Sequence, residues 1–439
     1  MTDKTDHTPV VVVHGLGQYE SWEVNEKGER LGRAWPLSFD TEKLRKKLVL
    51  PAVKMLLTRR DAGFTNKLQT TIRELLDVNA SLPDGTPKHN VKVTEYPEPV
   101  SRCGERDKKF IYTQVPIKEL GETIGEDKLF YFAYNIFGQL DEYGEKLDKF
   151  IDSVREKTGH NKVNLIPVSM GGAVTSYYLG HFGGAKLKRV VAIVPAYNGS
   201  VMFSDILSGN VNANDYRGFF KVILGEETGE KFAGLLSVVP KKVLRDAVYK
   251  TVDGAVEAII VNSSMMWSLV PAEDYPALRE KYLNAPGHER LRGVCDELYT
   301  YRQNFAGLLQ RMPEVEFFTL CGYDQPIFRA IGDGRKSSDI IVHTHSCSMG
   351  AVVAPPGETL PADYVQSRFP EKSLLSPDRK IDASAGALPF TTWYWRGMGH
   401  SQSASYRPLL LLAKRLLTED ELHTTADTPE YPQFSVYEA

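Results

Sequence analysis

The chain has 439 residues, of which 42% are hydrophobic and 25% charged, and its formal net charge is −3. This composition is ordinary for a globular chain with a large buried core, and the lack of a basic excess excludes nucleic acid as an expected partner. No run of about eighteen apolar residues occurs, so no transmembrane helix is predicted, and Met1 leads almost directly into the first strand without a signal-peptide core. We expect a soluble protein, cytoplasmic by default and secreted if an export signal has been trimmed from it.

The first predicted strand is Val10–Val13, whose β-branched residues are typical of a strand buried on both faces. It is followed by a glycine-rich turn with the sequence His14-Gly15-Leu16-Gly17-Gln18. In acyl transfer two backbone N–H groups must converge on the oxygen that becomes negative, and we predict that Leu16 supplies one of them. His14, Gly17 and Gln18 are predicted to line the substrate pocket. The alternative is an ordinary glycine turn between a strand and a helix.

Two long segments interrupt the alternation of strands and helices. Each is too long for a simple connection in a compact domain, so we interpret both as caps over the carboxyl ends of the strands. The predicted parts are a discontinuous core of 1–18, 128–197 and 312–425, a first cap of 19–127, a mainly helical second cap or lid of 198–311, and a C-terminal tail of 426–439. Trp267 in the second cap is a candidate for the substrate pocket, with ordinary core packing as the alternative.

The elements in the middle of the chain predict a doubly wound, mostly parallel sheet. The segment 140–157 has apolar residues at a spacing of three and four and is predicted to be a crossover helix. It leads into the apolar run 163–166, and 190–194 is the next continuous apolar run. Strand, helix and strand therefore alternate as an α/β fold with a parallel sheet requires.

The clearest catalytic signal is a sharp turn between a strand and a helix. The turn reads Pro167-Val168-Ser169-Met170-Gly171-Gly172, after the strand 163–166 and before the helical run 173–179. Such a corner leaves its central residue strained and projecting, with small neighbours two positions away, which predicts Ser169 as a nucleophile. Gly171 meets that need, whereas Pro167 stands where glycine is commoner. Met170 is the second predicted oxyanion donor, and the alternative is a chance Ser-x-Gly turn.

A general base is predicted near the C-terminus. His400 lies on a loop before the leucine-rich helix predicted over 406–417. From such a loop an imidazole can take the proton of the Ser169 hydroxyl and later give it to a leaving alcohol. Trp393 and Trp395, a few residues earlier, are predicted to form an apolar wall of the substrate pocket.

The acid of a catalytic triad should lie between the serine and the histidine in chain order. It is expected to follow the strand predicted over 315–320, and three aspartates qualify on this ground. They are Asp324, Asp333 and Asp339.

The chain resembles the α/β hydrolases of the lecithin:cholesterol acyltransferase family. The similar stretches, besides the serine turn, are 129–135, 264–271 and 338–346. In that family the acid lies in an Asp-Gly-x-Val-Pro-like segment, which Asp339 matches best, although Ile340 stands in place of glycine and His343 in place of proline. The resemblance implies an α/β hydrolase fold and a triad completed by Asp339. Acyl transfer by such a triad needs no cofactor, and none is expected.

A metal site is the rival interpretation of residues 343–347. On an extended segment His343 and His345 would present both imidazoles on one face, and Cys347 would continue the alternation. No helix of the His-Glu-x-x-His type occurs to complete a catalytic site, so we expect no metal. The cysteines are sparse for this length and are expected to be free thiols, namely Cys103, Cys295, Cys321 and Cys347.

The sequence therefore predicts a serine hydrolase that cleaves or transfers the acyl group of an apolar ester, such as a lipid, through an acyl-enzyme on Ser169. The alternatives are an O-acyltransferase with a lipid or sterol acceptor, a catalytically idle hydrolase-fold protein that binds lipid, and a metal-dependent hydrolase. The expected partner is a small-molecule or lipid ester, with transient contact to a lipid interface. The sequence indicates no oligomeric state.

Overall fold

The strands form one large sheet and several small ones. The computed structural model describes residues 6–37, 41–218, 221, 230, 233–234, 239–332 and 334–438, without the side chains of 41–45. The strands of this part are, in chain order, β1 Val10–Val13, β2 Ser21–Val24, β3 Arg30–Trp35, β4 Val91–Val93, β5 Leu129–Phe132, β6 Val163–Pro167, β7 Leu187–Ile193, β8 Glu316–Tyr323, β9 Gln325–Pro326, β10 Ser337–Ser338, β11 Val352–Val353, β12 Ile381–Asp382, β13 Thr392–Arg396 and β14 Phe434–Val436. The large sheet has the order β14-β13-β8-β7-β6-β1-β5, and all its neighbouring strands are parallel.

Helices cover both faces of this sheet and make up much of the insertions. The α-helices of the described residues are Thr41–Thr58, Phe64–Leu76, Glu105–Gln114, Lys118–Ile124, Leu140–Thr158, Met170–Phe182, Val201–Ser208, Lys241–Ala255, Ser264–Trp267, Tyr275–Tyr282, Glu289–Gln303, Phe305–Gln310, Thr344–Cys347 and Arg407–Thr418. Short 3₁₀ turns lie at Asp77–Asn79, Val100–Arg102, Glu126–Lys128, Ala213–Asp215, Ala383–Ala385, Ser401–Ala404 and Thr425–Asp427, and a π-helical turn at Val256–Ile260. Within the described ranges, no helix has the length and apolar character needed to cross a membrane.

The apolar run of β1 reflects burial on both faces of the sheet. Val11 and Val13 belong to the larger hydrophobic core, whereas Val10 and Val12 belong to a second core on the opposite face. Because successive side chains of a strand point to opposite faces, a strand covered on both sides needs an apolar residue at every position. The unbroken valine run is therefore a consequence of its central place between β5 and β6.

The connections between the parallel strands establish the fold class. Helix Leu140–Thr158 crosses from β5 to β6 and ends at Gly159, which has the left-handed φ of 71° that glycine adopts readily. β6 then leads into helix Met170–Phe182. In the sheet, β6 has β1 and β5 on one side and β7, β8, β13 and β14 on the other. This order, with the serine turn after a central strand, is that of an α/β hydrolase, and the predicted fold class is confirmed.

The two insertions add structure to the larger core. Between β1 and β5 lies a three-stranded antiparallel sheet, in the order β3-β2-β4, together with several helices. Between β7 and β8 the described residues are mainly helical. Phe64 of the first insertion and Met265 of the second both join the hydrophobic core that contains Val13. The insertions are thus packed on the sheet, while the exact cap boundaries stay a prediction.

The end of the chain differs from the predicted tail. Residues 434–436 form β14, which pairs in parallel with β13 and makes one edge of the large sheet. Phe434 stacks on Tyr394 with ring centroids 5.5 Å apart. Three residues are too few to show a strand period, so nothing in the local pattern indicated this pairing.

Candidate active site

Three side chains from distant parts of the chain meet at the carboxyl ends of the strands. The Ser169 hydroxyl lies 2.9 Å from Nε2 of His400, and Nδ1 of the same ring lies 2.7 Å from Oδ2 of Asp339. Ser169 follows β6, Asp339 follows β10 and His400 follows β13. The structure therefore brings together the three residues predicted as nucleophile, acid and base, with each ring nitrogen of the histidine in a hydrogen bond.

Ser169 occupies the strained corner that its sequence context predicts. Its φ of 53° and ψ of −118° lie outside the regions that most side chains adopt, and its N–H donates to the Ile193 carbonyl at 3.0 Å. A Cβ at Gly171 would collide with the backbone oxygen of Val13, and one at Gly15 would lie 2.9 Å from the Ser169 Cβ. Glycine is needed at both positions because the serine turn and the turn after β1 are pressed together.

Asp339 holds His400 through its side chain and its backbone. It is fully buried, and its Oδ1 accepts the N–H groups of Ile341 at 3.0 Å and Val342 at 2.7 Å, which leaves Oδ2 for the imidazole. The Asp339 carbonyl also accepts the His400 N–H at 2.6 Å. These contacts fix the direction of the carboxylate, as the orienting member of a triad requires.

Of the other two candidate acids, only Asp324 lies within the described residues. Asp324 binds the Lys380 ammonium at 2.8 Å and the Gly357 N–H at 2.8 Å, and none of the hydrogen bonds of the described residues joins it to His400. Its carboxylate is thus engaged in a separate ion pair. Asp333 lies outside the described residues.

The residue after Asp339 has an unusual backbone for its type. Ile340 has a φ of 86°, in the left-handed region where a β-branched side chain is strained. A glycine would adopt that φ without strain. The isoleucine side chain is partly exposed and reaches the loop of His400, where a Cβ added to Gly399 would lie 3.1 Å from its Cδ1.

The two predicted oxyanion donors share one property. Among the hydrogen bonds of the described residues, neither the Leu16 N–H nor the Met170 N–H has a protein acceptor. Met170 is the first residue of helix Met170–Phe182, so its N–H also lies at the positive end of the helix dipole. Two free amide donors beside Ser169 are what an oxyanion hole requires, and their role stays a prediction.

Gln18 braces the turn after β1 through its side-chain amide, and its place in the substrate pocket stays a prediction. Its Oε1 accepts the Gly15 N–H at 2.6 Å, and its Nε2 donates to the Gln114 carbonyl at 2.5 Å. Gly17 beside it has a φ of 91°, which explains why glycine stands there. Both of these hydrogen bonds join the Gln18 side chain to backbone groups, so it positions the turn that carries Leu16.

The same device recurs at the loop of His400 and was missed in the sequence. Gln402 Oε1 accepts the Gly399 N–H at 2.6 Å, just as Gln18 accepts from Gly15. In both loops a glutamine follows a glycine by three residues, and this shared Gly-x-x-Gln spacing was the available signal. Each amide oxygen closes a tight turn, one beside Ser169 and one beside His400.

His14 is also a structural residue, which corrects its prediction as a pocket residue. It is fully buried and stacks on Tyr134 at a centroid distance of 4.0 Å. Its Nε2 accepts the Tyr134 N–H at 3.1 Å, and its Nδ1–H donates to the Gly15 carbonyl at 2.7 Å. Burial lowers the pKa of His14 to about 4, so the ring is neutral at pH 7 and ties the turn to the sheet.

Acidification should destabilise the fold through His14. An imidazole in the unfolded chain titrates near about pH 6.5, whereas the folded-state pKa is about 4. Between these values the unfolded state binds the proton more readily than the folded state does. The free energy of unfolding therefore decreases as the pH is lowered from about 6.5 to about 4, by on the order of 3 kcal/mol. Urea unfolding of the native protein and His14→Gln, at neutral pH and near pH 4.5, checks this. We expect a smaller loss on acidification in the variant, and equal losses would contradict the assignment.

The three predicted pocket tryptophans are core residues, and that prediction was wrong. Trp267 is buried edge-on against Tyr275, and its indole N–H donates to the Val261 carbonyl at 2.9 Å. Trp393 and Trp395 are two residues apart on β13, so both side chains point to the same face of the sheet, which helix Arg407–Thr418 covers. Closeness to His400 in sequence was misleading because the alternation of side chains along the strand, not the sequence distance, determines which face of the sheet a side chain is on.

Residues 343–347 do not have the extended geometry assumed for a metal site. Residues 344–347 form a short helix, which Ser346 ties to the core through bonds with Asn198 and Gly199. The His345 Nδ1 is 3.0 Å from the Ala351 carbonyl, and Cys347 is a buried free thiol. Across the described ranges no group of three His, Cys, Asp or Glu side chains is placed to hold a metal ion.

Comparisons with known proteins give a distant likeness in structure alone. No protein-family profile matches the chain, and no curated protein sequence matches it. A chain of the Tle4–Tli4 complex is 13% identical with a TM-score of 0.39, over 93% of this chain and 97% of that one. Phospholipase PlaB from Legionella pneumophila is 14% identical with a TM-score of 0.31, over 72% of this chain and 56% of that one. Likeness at this level carries no argument about the reaction.

Proposed function

We propose that the chain is a serine hydrolase that cleaves an apolar carboxylic ester, with a lipid ester as its substrate class. The observation that carries the proposal is the continuous hydrogen-bonded path from Ser169 through His400 to Asp339, with distances of 2.9 and 2.7 Å. A serine, an imidazole and a buried carboxylate in this order form the machinery of acyl transfer. The acid assignment to Asp339 is part of the proposal.

In the first half of the reaction, Ser169 attacks the ester carbonyl while His400 Nε2 takes the hydroxyl proton. The carbonyl oxygen becomes negative and accepts hydrogen bonds from the N–H groups of Leu16 and Met170. Asp339 stabilises the imidazolium and keeps Nδ1 protonated. His400 then gives the proton to the leaving alcohol oxygen as the acyl–oxygen bond breaks, and the acyl group remains on Ser169.

In the second half an acceptor hydroxyl releases the acyl group. His400 takes the proton of that hydroxyl while its oxygen attacks the acyl carbonyl and forms the new acyl–oxygen bond. The acyl–Ser169 bond then breaks, and the proton passes from His400 to the Ser169 oxygen. With water as acceptor the reaction is hydrolysis, and with a lipid or sterol alcohol it is acyl transfer. The residues at the site act in the same way for both acceptors, so the acceptor must be identified by experiment.

Two aliphatic side chains beside the triad support an apolar substrate. Leu16, next to Gly15 and the serine turn, is 46% exposed, and Ile340, next to Asp339 and against the loop of His400, is 37% exposed. Ser169 itself is 9% exposed, so its side chain is recessed from the surface. Apolar groups around a recessed nucleophile favour an ester with an apolar acyl part.

A chain-length series with an active-site probe tests the proposal. We expect a fluorophosphonate to label the native protein, and kcat/KM for p-nitrophenyl esters to rise about fourfold per added methylene, which corresponds to roughly 0.8 kcal/mol per buried methylene. A preference for acetate would contradict the apolar substrate class. Activity that a chelator removes, without labelling by the probe, would point to a metal-dependent hydrolase, and neither labelling nor turnover would point to a hydrolase-fold binding protein.

A further inference from the structure

Helix Thr41–Thr58 carries an exposed row of large aliphatic side chains. The helix provides five of the twelve exposed large hydrophobic residues found in the described part of the chain. These five, which we term the aliphatic ridge, are Val49, Leu50, Val53, Leu56 and Leu57. Leu50 is 77% and Leu57 81% exposed, and the other three are between 42% and 48% exposed. Single exposed apolar residues are ordinary, but a contiguous row marks an interaction surface.

The ridge is held in place by the opposite side of the helix. Leu48 and Met55 are buried in the larger hydrophobic core, which also contains Phe64 and Leu68 of the following helix. Lys47 forms an ion pair with Glu74 of that same helix. The ridge positions recur at spacings of three and four, so they lie along one side of a helix whose other side is anchored. The exposed leucines therefore belong to a packed helix and not to a frayed end.

Basic side chains surround the ridge. Lys46 lies near its start, Lys54 at its middle, and Arg59 and Arg60 directly after the helix, all exposed. In the described part of the chain none of these four has an acidic partner, in contrast to Lys47. Uncompensated cations next to exposed aliphatic groups match a surface that offers anionic groups above an apolar layer.

We propose that the aliphatic ridge docks this protein on the surface of an anionic lipid bilayer. Leu50 and Leu57 would enter the boundary between head groups and acyl chains, and Lys46, Lys54 and Arg60 would reach the anionic head groups. A protein partner or a second copy of the chain would also bury leucines, but neither requires cations at both ends of the row. The proposal rests on the proposed function in one respect, since a bilayer is where a lipid ester would be met.

Sedimentation of the full-length protein with vesicles tests the docking by measuring binding instead of ester turnover. We expect binding to vesicles of phosphatidylcholine with phosphatidylglycerol, and much weaker binding to phosphatidylcholine alone or in high salt. The double variant Leu50→Ser, Leu57→Ser should lose at least about tenfold in affinity. Val365→Ser is the matched control, since Val365 is 79% exposed but lies outside the ridge, and it should bind like the native protein.

Activity measurements separate this proposal from the proposed function. The double variant should hydrolyse a soluble p-nitrophenyl ester at the native rate, and Ser169→Ala should bind vesicles as well as the native protein does. Native protein that binds neither kind of vesicle, or a double variant that binds anionic vesicles unchanged, would overturn the docking. A native dimer that the double variant converts to monomers, without vesicle binding, would assign the ridge to self-association instead.

Discussion

Replacing Ser169 by alanine should abolish ester turnover and leave the fold intact. The hydroxyl is the only group removed, and the proposed mechanism activates it through its 2.9 Å hydrogen bond to His400 Nε2. Loss of a triad serine costs a factor on the order of 10⁴ to 10⁶ in kcat, because the remaining amide donors can only assist attack by water. The measurement is kcat for a p-nitrophenyl ester, together with the circular dichroism spectrum and the urea midpoint.

Alanine at position 169 must still adopt the same strained backbone. The φ of 53° is imposed by the turn between β6 and helix Met170–Phe182, so the variant keeps the strain and loses no buried apolar contact. We therefore expect a change in stability of less than about 1 kcal/mol. Ser208→Ala, at an exposed helix end, serves as the control and should keep full activity. Retained turnover in Ser169→Ala would reject the serine mechanism.

Replacing Asp339 by asparagine should cost about 10⁴ in kcat with little change in KM. Oδ1 of Asp339 accepts two backbone N–H groups, from Ile341 and Val342. An asparagine would keep its oxygen there and turn its NH₂ group toward Nδ1 of His400. The imidazole would then carry its proton on Nε2, where it can no longer accept the proton of Ser169.

Asp324→Asn is the matched variant for this test. It removes the same charge at a site that binds Lys380 and the Gly357 N–H, away from the imidazole. We expect a loss of stability from the broken ion pair, with kcat within about threefold of the native value. An equal loss of kcat in Asp324→Asn, or full activity in Asp339→Asn, would move the acid to another aspartate, including Asp333.

The parts of the site that the sequence predicts are those encoded by short local patterns. A buried strand, a serine and a glycine two residues later specify a turn, and the structure places Ser169 at that turn. Asp339 could be selected only through the family resemblance, because three aspartates followed the predicted strand equally well. The deciding fact is tertiary, since only the fold determines which carboxylate meets His400.

The errors have two physical origins. Trp393 and Trp395 were placed by distance along the chain, whereas the alternation of side chains along β13 turns both toward the helix Arg407–Thr418. The roles of Gln18 and Gln402 were missed because a side chain that accepts from a backbone N–H three residues earlier leaves no apolar period to detect. The only sequence signal is the Gly-x-x-Gln spacing, which by itself does not specify a brace.

The backbone of Ile340 suggests a trade-off between folding and recognition. At a φ of 86° a glycine would have a conformational free energy lower than that of a branched residue by roughly 1 kcal/mol. Selection for stability alone would therefore favour glycine at this position. What the isoleucine adds is an aliphatic surface leaning over the loop of His400. Ile340→Gly should therefore raise the free energy of unfolding, and it would also remove the aliphatic side chain that reaches the loop of His400.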